Sequence, residues 1–291
     1  MPPSPNEDTN MDFRTVRYEA ADRVATITLN RPDRFNAIDE TMPEDIADAI
    51  RHANRDDDVH VIVLTGAGKG FCGGYDLAAF AETPGTNIGI QDMPWDPMID
   101  FDMMSRCTEN FMQIWRSPKP VIGRVQGDAV AGGSDIALCC DIILMNEDAR
   151  IGYPPARVWG CPTTAMWVYR LGAEKAKRML FTGDLVSGRE AESIGLVHQA
   201  MPLTELDDAA ENLAARIKGV PKNQLMMMKL MVNQAYENMG LASTQMLATV
   251  FDGIARHSPE GVWFKQRAEE AGFKKAVEER DSGAPIPSIK D

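Results

Sequence analysis

The sequence predicts an α/β protein: strands alternating with helices to about residue 203, then helices alone. Three observations carry this expectation. Short apolar runs alternate with helix-like segments over the first part, which implies parallel strands joined by right-handed crossovers. Two glycine-rich turns each follow a strand. Beyond residue 203 the pattern is helical throughout. Residues 1–11 are expected as a disordered tail, 12–203 as the core, and 204–291 as a C-terminal helical region.

Taken in order, residues 15–30 form two strands around an Ala21-Asp22 turn, the second alternating through Ala25, Ile27 and Leu29. Thr41-Met42-Pro43-Glu44 has the capping-box pattern with proline in the first turn, and opens a helix through Ile46, Ala49 and Ile50. Val59–Leu64 is a buried strand, followed by a helix over about 98–116 and a strand at Val121–Val125. A helix starts near Gly132, and Ile142–Met145 is again strand-like. Four helices carry the remainder, the last running from Pro259 to about Glu279. The Met226–Met228 run with Met231 suits core or subunit-interface packing, since Met fills irregular apolar gaps.

The chain has 291 residues, 44% of them hydrophobic, enough for a sizeable core. A net charge of -13 disfavours nucleic acid, whose phosphates call for a basic face. An anionic ligand would then need locally placed Arg or Lys. The five cysteines are odd in number and include the adjacent pair Cys139-Cys140, which suits reduced thiols in the cytoplasm rather than disulfides. No metal site is expected from Cys or His spacing. The N-terminal MPPSPNEDTN lacks the marks of a signal peptide, and no apolar run approaches the ~20 residues of a membrane span.

The chemistry-bearing segments are the two glycine turns, Gly66–Leu77 (GAGKGFCGGYDL) and Gly127–Asp135 (GDAVAGGSD). Glycines after strands let backbone approach a ligand and turn its N–H groups outward. Neither turn is a dinucleotide fingerprint or a P-loop. Together with Asn30–Ala37 (NRPDRFNA), Arg170–Ala176 (RLGAEKA), Gly188–Val197 and Ser258–Gly261, they resemble the crotonase (enoyl-CoA hydratase/isomerase) superfamily over about residues 14–282.

The resemblance implies a spiral of ββα turns, a C-terminal helical region that trimerises, and an acyl-CoA thioester as substrate. It implies no metal and no separate cofactor, coenzyme A being part of the substrate, and an assembly of homotrimer or dimer of trimers. The backbone N–H groups of Tyr75 and Gly132 fall where the family grips the thioester carbonyl, leaving the Tyr75 side chain incidental. Such donors stabilise the charge of a thioester enolate. Asp135 follows Gly132 by about one helical turn and so shares its face; it falls on the first of the two catalytic acids of family hydratases. The family places backbone near Asn36 and Ala37 and around Gly73, Gly74 and Leu77 against coenzyme A, with Gly133 beside the second donor. Arg34 and Lys69 are the candidates for its phosphates, and Asp76 serves to fix the turn.

One family position departs. Gly152-Tyr153-Pro154-Pro155 matches the G-x-P-E segment, which puts Pro155 where hydratases carry their second acid. Proline transfers no proton. The segment still supplies pocket wall through Tyr153, Pro154, Pro155, Val158 and Trp159. Residues 81–118 are long and rich in Met, Trp and Phe, suiting a wall or lid for a bulky acyl group or else a core helix with a decorated approach. Three functions stay open: an acyl-CoA lyase or isomerase, a hydrolase on the same fold, and a catalytically impaired acyl-CoA-binding protein. Product analysis for free acid or thiol separates the second from the first.

Overall fold

In a computed structural model of the chain, residues 13–82, 91 and 94–289 are described. The tail expected at 1–11 lies outside them, as do parts of the long connection, 83–90 and 92–93.

Strands β1 (Val16–Ala21) and β2 (Val24–Leu29) form an antiparallel hairpin. Its turn is one residue later than expected. Asp22 and Arg23 both have positive φ, the condition for a two-residue turn whose twist matches the strands. Helix α1 (Met42–Arg55) starts where the capping box put it, but through a different residue. Asp39 Oδ1 accepts the N–H groups of Thr41 and Met42 at 3.1 and 3.0 Å, and Thr41 makes no side-chain cap.

The chain continues through β3 (Val61–Gly66), α2 (Pro97–Arg116), β4 (Val121–Val125), β5 (Ala129–Val130), α3 (Gly132–Leu138), β6 (Ile142–Asn146) and β7 (Arg150–Gly152). Then come α4 (Met166–Thr182), β8 (Leu185–Ser187), α5 (Gly188–Ile194) and β9 (Gln199–Met201). Helices α6 (Leu203–Lys218), α7 (Lys222–Asn238), α8 (Leu241–His257), α9 (Pro259–Ala271) and α10 (Phe273–Asp281) complete it. The expected last helix is two, because Gly272 at φ 85, ψ 150 leaves helical geometry between α9 and α10.

The strands explain the spiral. One six-stranded sheet has the order β1-β2-β3-β4-β6-β9, parallel from β2 onward; a smaller sheet has the order β5-β7-β8. Leaving β4 the chain adds β5 to the small sheet, and leaving β6 it adds β7. Earlier turns reach the same layer by single bridges, Cys72 to Ala129 and Ile38 to Tyr75. Each turn thus stacks on the last, and the segments that follow β3 and β4 become neighbours.

The large sheet is buried on both faces, which is why β3 is apolar at successive positions. Ile62 and Leu64 face the main core with Phe71, Phe111 and Ile136, while Val61 and Val63 face α6 through Leu206, Ala210 and Ala214. The first helix of the C-terminal region therefore closes the sheet. The methionines of α7 do otherwise. Met226, Met227, Met228 and Met231 are all exposed, so a core role within this chain is ruled out for them. All five cysteines are free, and no helix among the described residues is long and apolar enough to cross a membrane.

Candidate active site

The loop after β3 is shaped from beneath by two amides. Buried Asn36 donates through Nδ2 to the carbonyls of Ala67, Gly70 and Phe71 at 2.9, 2.9 and 3.1 Å. Gln126 Nε2 donates to those of Gly66 and Gly70, both at 2.8 Å. With its carbonyls tied inward, the loop runs past Ile38, whose N–H and carbonyl pair with the Gly74 carbonyl and the Asp76 N–H. At φ 90, Gly74 has a conformation that L side chains seldom adopt, and a Cβ there would lie 2.9 Å from Ala131 Cβ.

The loop after β5 is fixed against the first. Val130 N–H donates to the Cys72 carbonyl and Ala131 N–H to the Gly152 carbonyl. Ala131, at φ 53 and ψ -124, turns the chain so that α3 begins at Gly132. Gly133 has no room for a side chain: a Cβ would fall 2.1 Å from the Cys72 carbonyl oxygen. Among the described residues neither Tyr75 N–H nor Gly132 N–H has an acceptor. The Tyr75 ring lies against Gly132, where a Cβ would fall 3.0 Å from a ring carbon. That side chain is therefore part of the cavity wall.

Asp135, in the first turn of α3, is 4% exposed and lines the same cavity. Burial pushes its carboxyl up to about 8, the hydrogen bond from Thr164 Oγ1 at 2.6 Å opposes this, and the charge of Asp252 adds to it. The group holds its proton at neutral pH. Thr164 is itself held by Gln245 of α8, which donates to its carbonyl at 2.9 Å.

Facing the loops is a wall of helix. Asp252 of α8, 3% exposed, also lines the cavity. Its Oδ1 accepts the Cys161 N–H at 2.9 Å, and its Oδ2 pairs with Arg256, which also pairs with Asp100 at 2.7 Å. Burial works against the Arg256 charge, but Asp252 and Asp100 outweigh it and hold the guanidinium's pKa above its ordinary value. The cavity is about 1350 Å³, with Met103, Met104, Phe80 and Trp159 among its apolar walls and Arg34, Arg106 and Lys274 at its mouth.

This arrangement matches known proteins along most of the chain. The family model described as enoyl-CoA hydratase/isomerase matches residues 19–263. The chain belongs to the enoyl-CoA hydratase/isomerase family. A crystal structure of enoyl-CoA hydratase from Mycobacterium smegmatis superposes with TM-score 0.87 at 46% identity, covering 92% of this chain and 94% of that one. An enoyl-CoA hydratase/isomerase from Xanthobacter autotrophicus Py2 gives 0.85 at 29% identity, over 94% and 99%. The (E)-benzylidenesuccinyl-CoA hydratase of Thauera aromatica is 31% identical over 206 residues, 69% of this chain and 75% of that protein.

Of the residues singled out by family resemblance, Arg34, Ala37, Gly73, Tyr75, Asp76, Leu77, Gly132, Asp135, Tyr153, Pro154 and Pro155 line the cavity. Five do not. Asn36 and Gly133 are buried behind the wall, and Gly74 packs against Ala131. Lys69 is exposed away from the cavity. Val158 is not pocket wall but core, packed with Ala81, Phe264 and Ala268. Tyr153 keeps its phenol proton, since burial and then the charges of Asp135 and Asp252 push its pKa well up, and its hydroxyl donates to the Cys161 carbonyl at 2.8 Å. Asp76 pairs with Arg31 at 3.1 Å, which braces the mouth.

Sequence reasoning missed Asp252, Arg256 and Arg31. For the first two a signal existed: an Asp–Arg pair at i,i+4, with Asp252 inside the largely apolar stretch Met246–Ala255 and Arg256 just after it.

Proposed function

We propose that this chain is an acyl-CoA enzyme that draws its substrate through a thioester enolate. The Tyr75 and Gly132 N–H groups hold the enolate oxygen, and the Asp135 carboxyl exchanges a proton with the acyl chain. The observation that carries this reading is the conjunction of two unpartnered N–H donors with a buried, proton-holding carboxyl one helical turn away. Preorganised donors of this kind contribute about 3–4 kcal/mol each to a developing oxyanion. A raised carboxyl suits an acid working near neutral pH.

The substrate enters with its acyl group among Phe80, Met103, Met104 and Trp159, which suits a bulky or aromatic group. The hydratase from Thauera aromatica, named for a benzylidenesuccinyl thioester, supports that class. Arg34 and Lys274 at the mouth are the cations for coenzyme A phosphates in place of Lys69. The enzyme acts in the cytoplasm as a homotrimer or dimer of trimers, joined through the exposed methionines of α7 and the outer face of α8. Light scattering that returned a 32.1 kDa species at micromolar concentration would remove the assembly.

The test of the chemistry is turnover of a panel of enoyl- and acyl-CoA esters, followed by mass spectrometry, for wild type and Asp135→Asn. Conversion that depends on Asp135 and yields no free thiol supports the reading. Release of free acid and thiol would favour the hydrolase instead.

A further inference from the structure

Pro155 leaves its stretch of wall without an acid, yet two deeply buried carboxylates meet the cavity. They are held by the two ends of one short loop: Asp252 accepts the Cys161 N–H, and Asp135 accepts the Thr164 hydroxyl three residues later. Their surroundings differ in kind. Asp252 is in an ion pair with Arg256, whereas Asp135 has no cation partner among the described residues. The Arg256 charge is balanced on its other side by Asp100, which is buried and does not line the cavity. Arg256 lines the cavity beside Asp252, so the pair meets it as a unit, and the carboxylate is the member with lone pairs left for a water.

We propose that Asp252 is the second catalytic carboxylate of this site, taking the proton of a water that adds to the β carbon of an enoyl thioester while Asp135 protonates the α carbon. The proposal rests on the enolate reading above. As the water oxygen bonds to the β carbon, its proton passes to an Asp252 oxygen and the π electrons move to the thioester oxygen. The enolate then reforms the carbonyl as its α carbon takes the Asp135 proton. Water has been added across the double bond, Asp252 has gained a proton, Asp135 has lost one, and exchange with solvent resets both. Cys161 and Arg256 each occupy one lone pair of the Asp252 carboxylate, which leaves others for the water. Helix α8 thereby supplies a second carboxylate that the loop, with Pro155, lacks, and it does so on the water side of the double bond rather than at the α carbon.

Two reactions separate this role from a structural one: hydration of an enoyl-CoA, and exchange of the α hydrogen of a saturated acyl-CoA in deuterated water. Hydration needs both carboxylates, whereas α exchange needs only Asp135 and the donors. Asp252→Asn keeps the shape and is expected to lower hydration by about 10²–10³-fold, as loss of a general base does, with α exchange near the wild-type rate. Asp100→Asn, which disturbs the same Arg256 from outside the cavity, is expected to change the two reactions in parallel. Equal loss of both reactions in Asp252→Asn, or no loss of hydration, would overturn the proposal. Wild type that exchanges but does not hydrate would also overturn it and leave the enolate reading standing. Absence of exchange in wild type would mark the enolate reading itself as the failure.

Discussion

The cavity has two walls made on different principles. The loop wall is backbone: its donors are N–H groups, and the side chains that shape it, Asn36 and Gln126, lie behind it and reach its carbonyls. The helix wall is side chain: α8 presents Asp252, fixed by an ion pair to Arg256 and by Cys161, 91 residues away. A backbone wall keeps its chemistry whatever its own side chains are, provided the peptide keeps its course. A side-chain wall loses its chemistry with one substitution, but can be installed on any element that packs against the cavity.

The largest expected effect lies between the walls. Asp135→Asn should lower turnover by about 10²–10⁴-fold and leave thioester affinity unchanged by calorimetry, because the donors are backbone. The same substitution has an opposite effect on stability. The folded carboxyl titrates at about 8 and the unfolded one at its ordinary 3.8, so the folded state binds the proton more tightly. That contribution is complete at low pH and declines as pH rises from about 4 to about 8. The variant does not decline in this way, so its melting temperature should exceed that of wild type by a margin that grows across the window. A constant margin would break the assignment of a buried, protonated Asp135.

A change behind the loop wall tests the other half of the comparison. Asn36→Ala strips three carbonyls, two of them in buried bonds, of this donor, though Gly70 keeps Gln126. Denaturant titration should show a loss of about 1–3 kcal/mol, the cost of leaving buried polar groups unpaired. Turnover should then fall only as far as the loop loosens. The smallest effect belongs to Pro155→Glu. Its backbone nitrogen donates no bond that the fold uses, and α8 already supplies a carboxylate, so hydration should rise by less than about tenfold, or 1.4 kcal/mol. A larger gain would sharpen the contrast in the other direction and show that the helix wall does little.

What was legible in the sequence follows the same division. Glycine turns, the strand before each, and the acid one helical turn past Gly132 are local patterns, and they pointed to the family and to the residues that converge on the cavity. The absence of an acid at Pro155 could also be read directly. Asp252 could be noticed as half of an i,i+4 pair with Arg256 but not assigned to the cavity, because its other partner, Cys161, belongs to another part of the chain. Val158 was misplaced for a related reason. It follows the pocket segment in sequence, but α9 and α10 fold over it and draw it into core. Asn36 lay on the right motif, but the work of its side chain, holding the loop by three carbonyls, could not be read there, because those carbonyls are more than 30 residues away.

Helix α8 has an inward row of Gln245, Thr249 and Asp252 and an outward row that includes Met246, Leu247, Val250 and Phe251. The two rows belong to one stiff rod, and a rod cannot settle on one side while rocking on the other. A subunit seated on the outward row would restrain the carboxylate on the inward row without touching it. Specific activity should then depend on how far the protein is diluted, falling as the oligomer comes apart even while each chain stays folded.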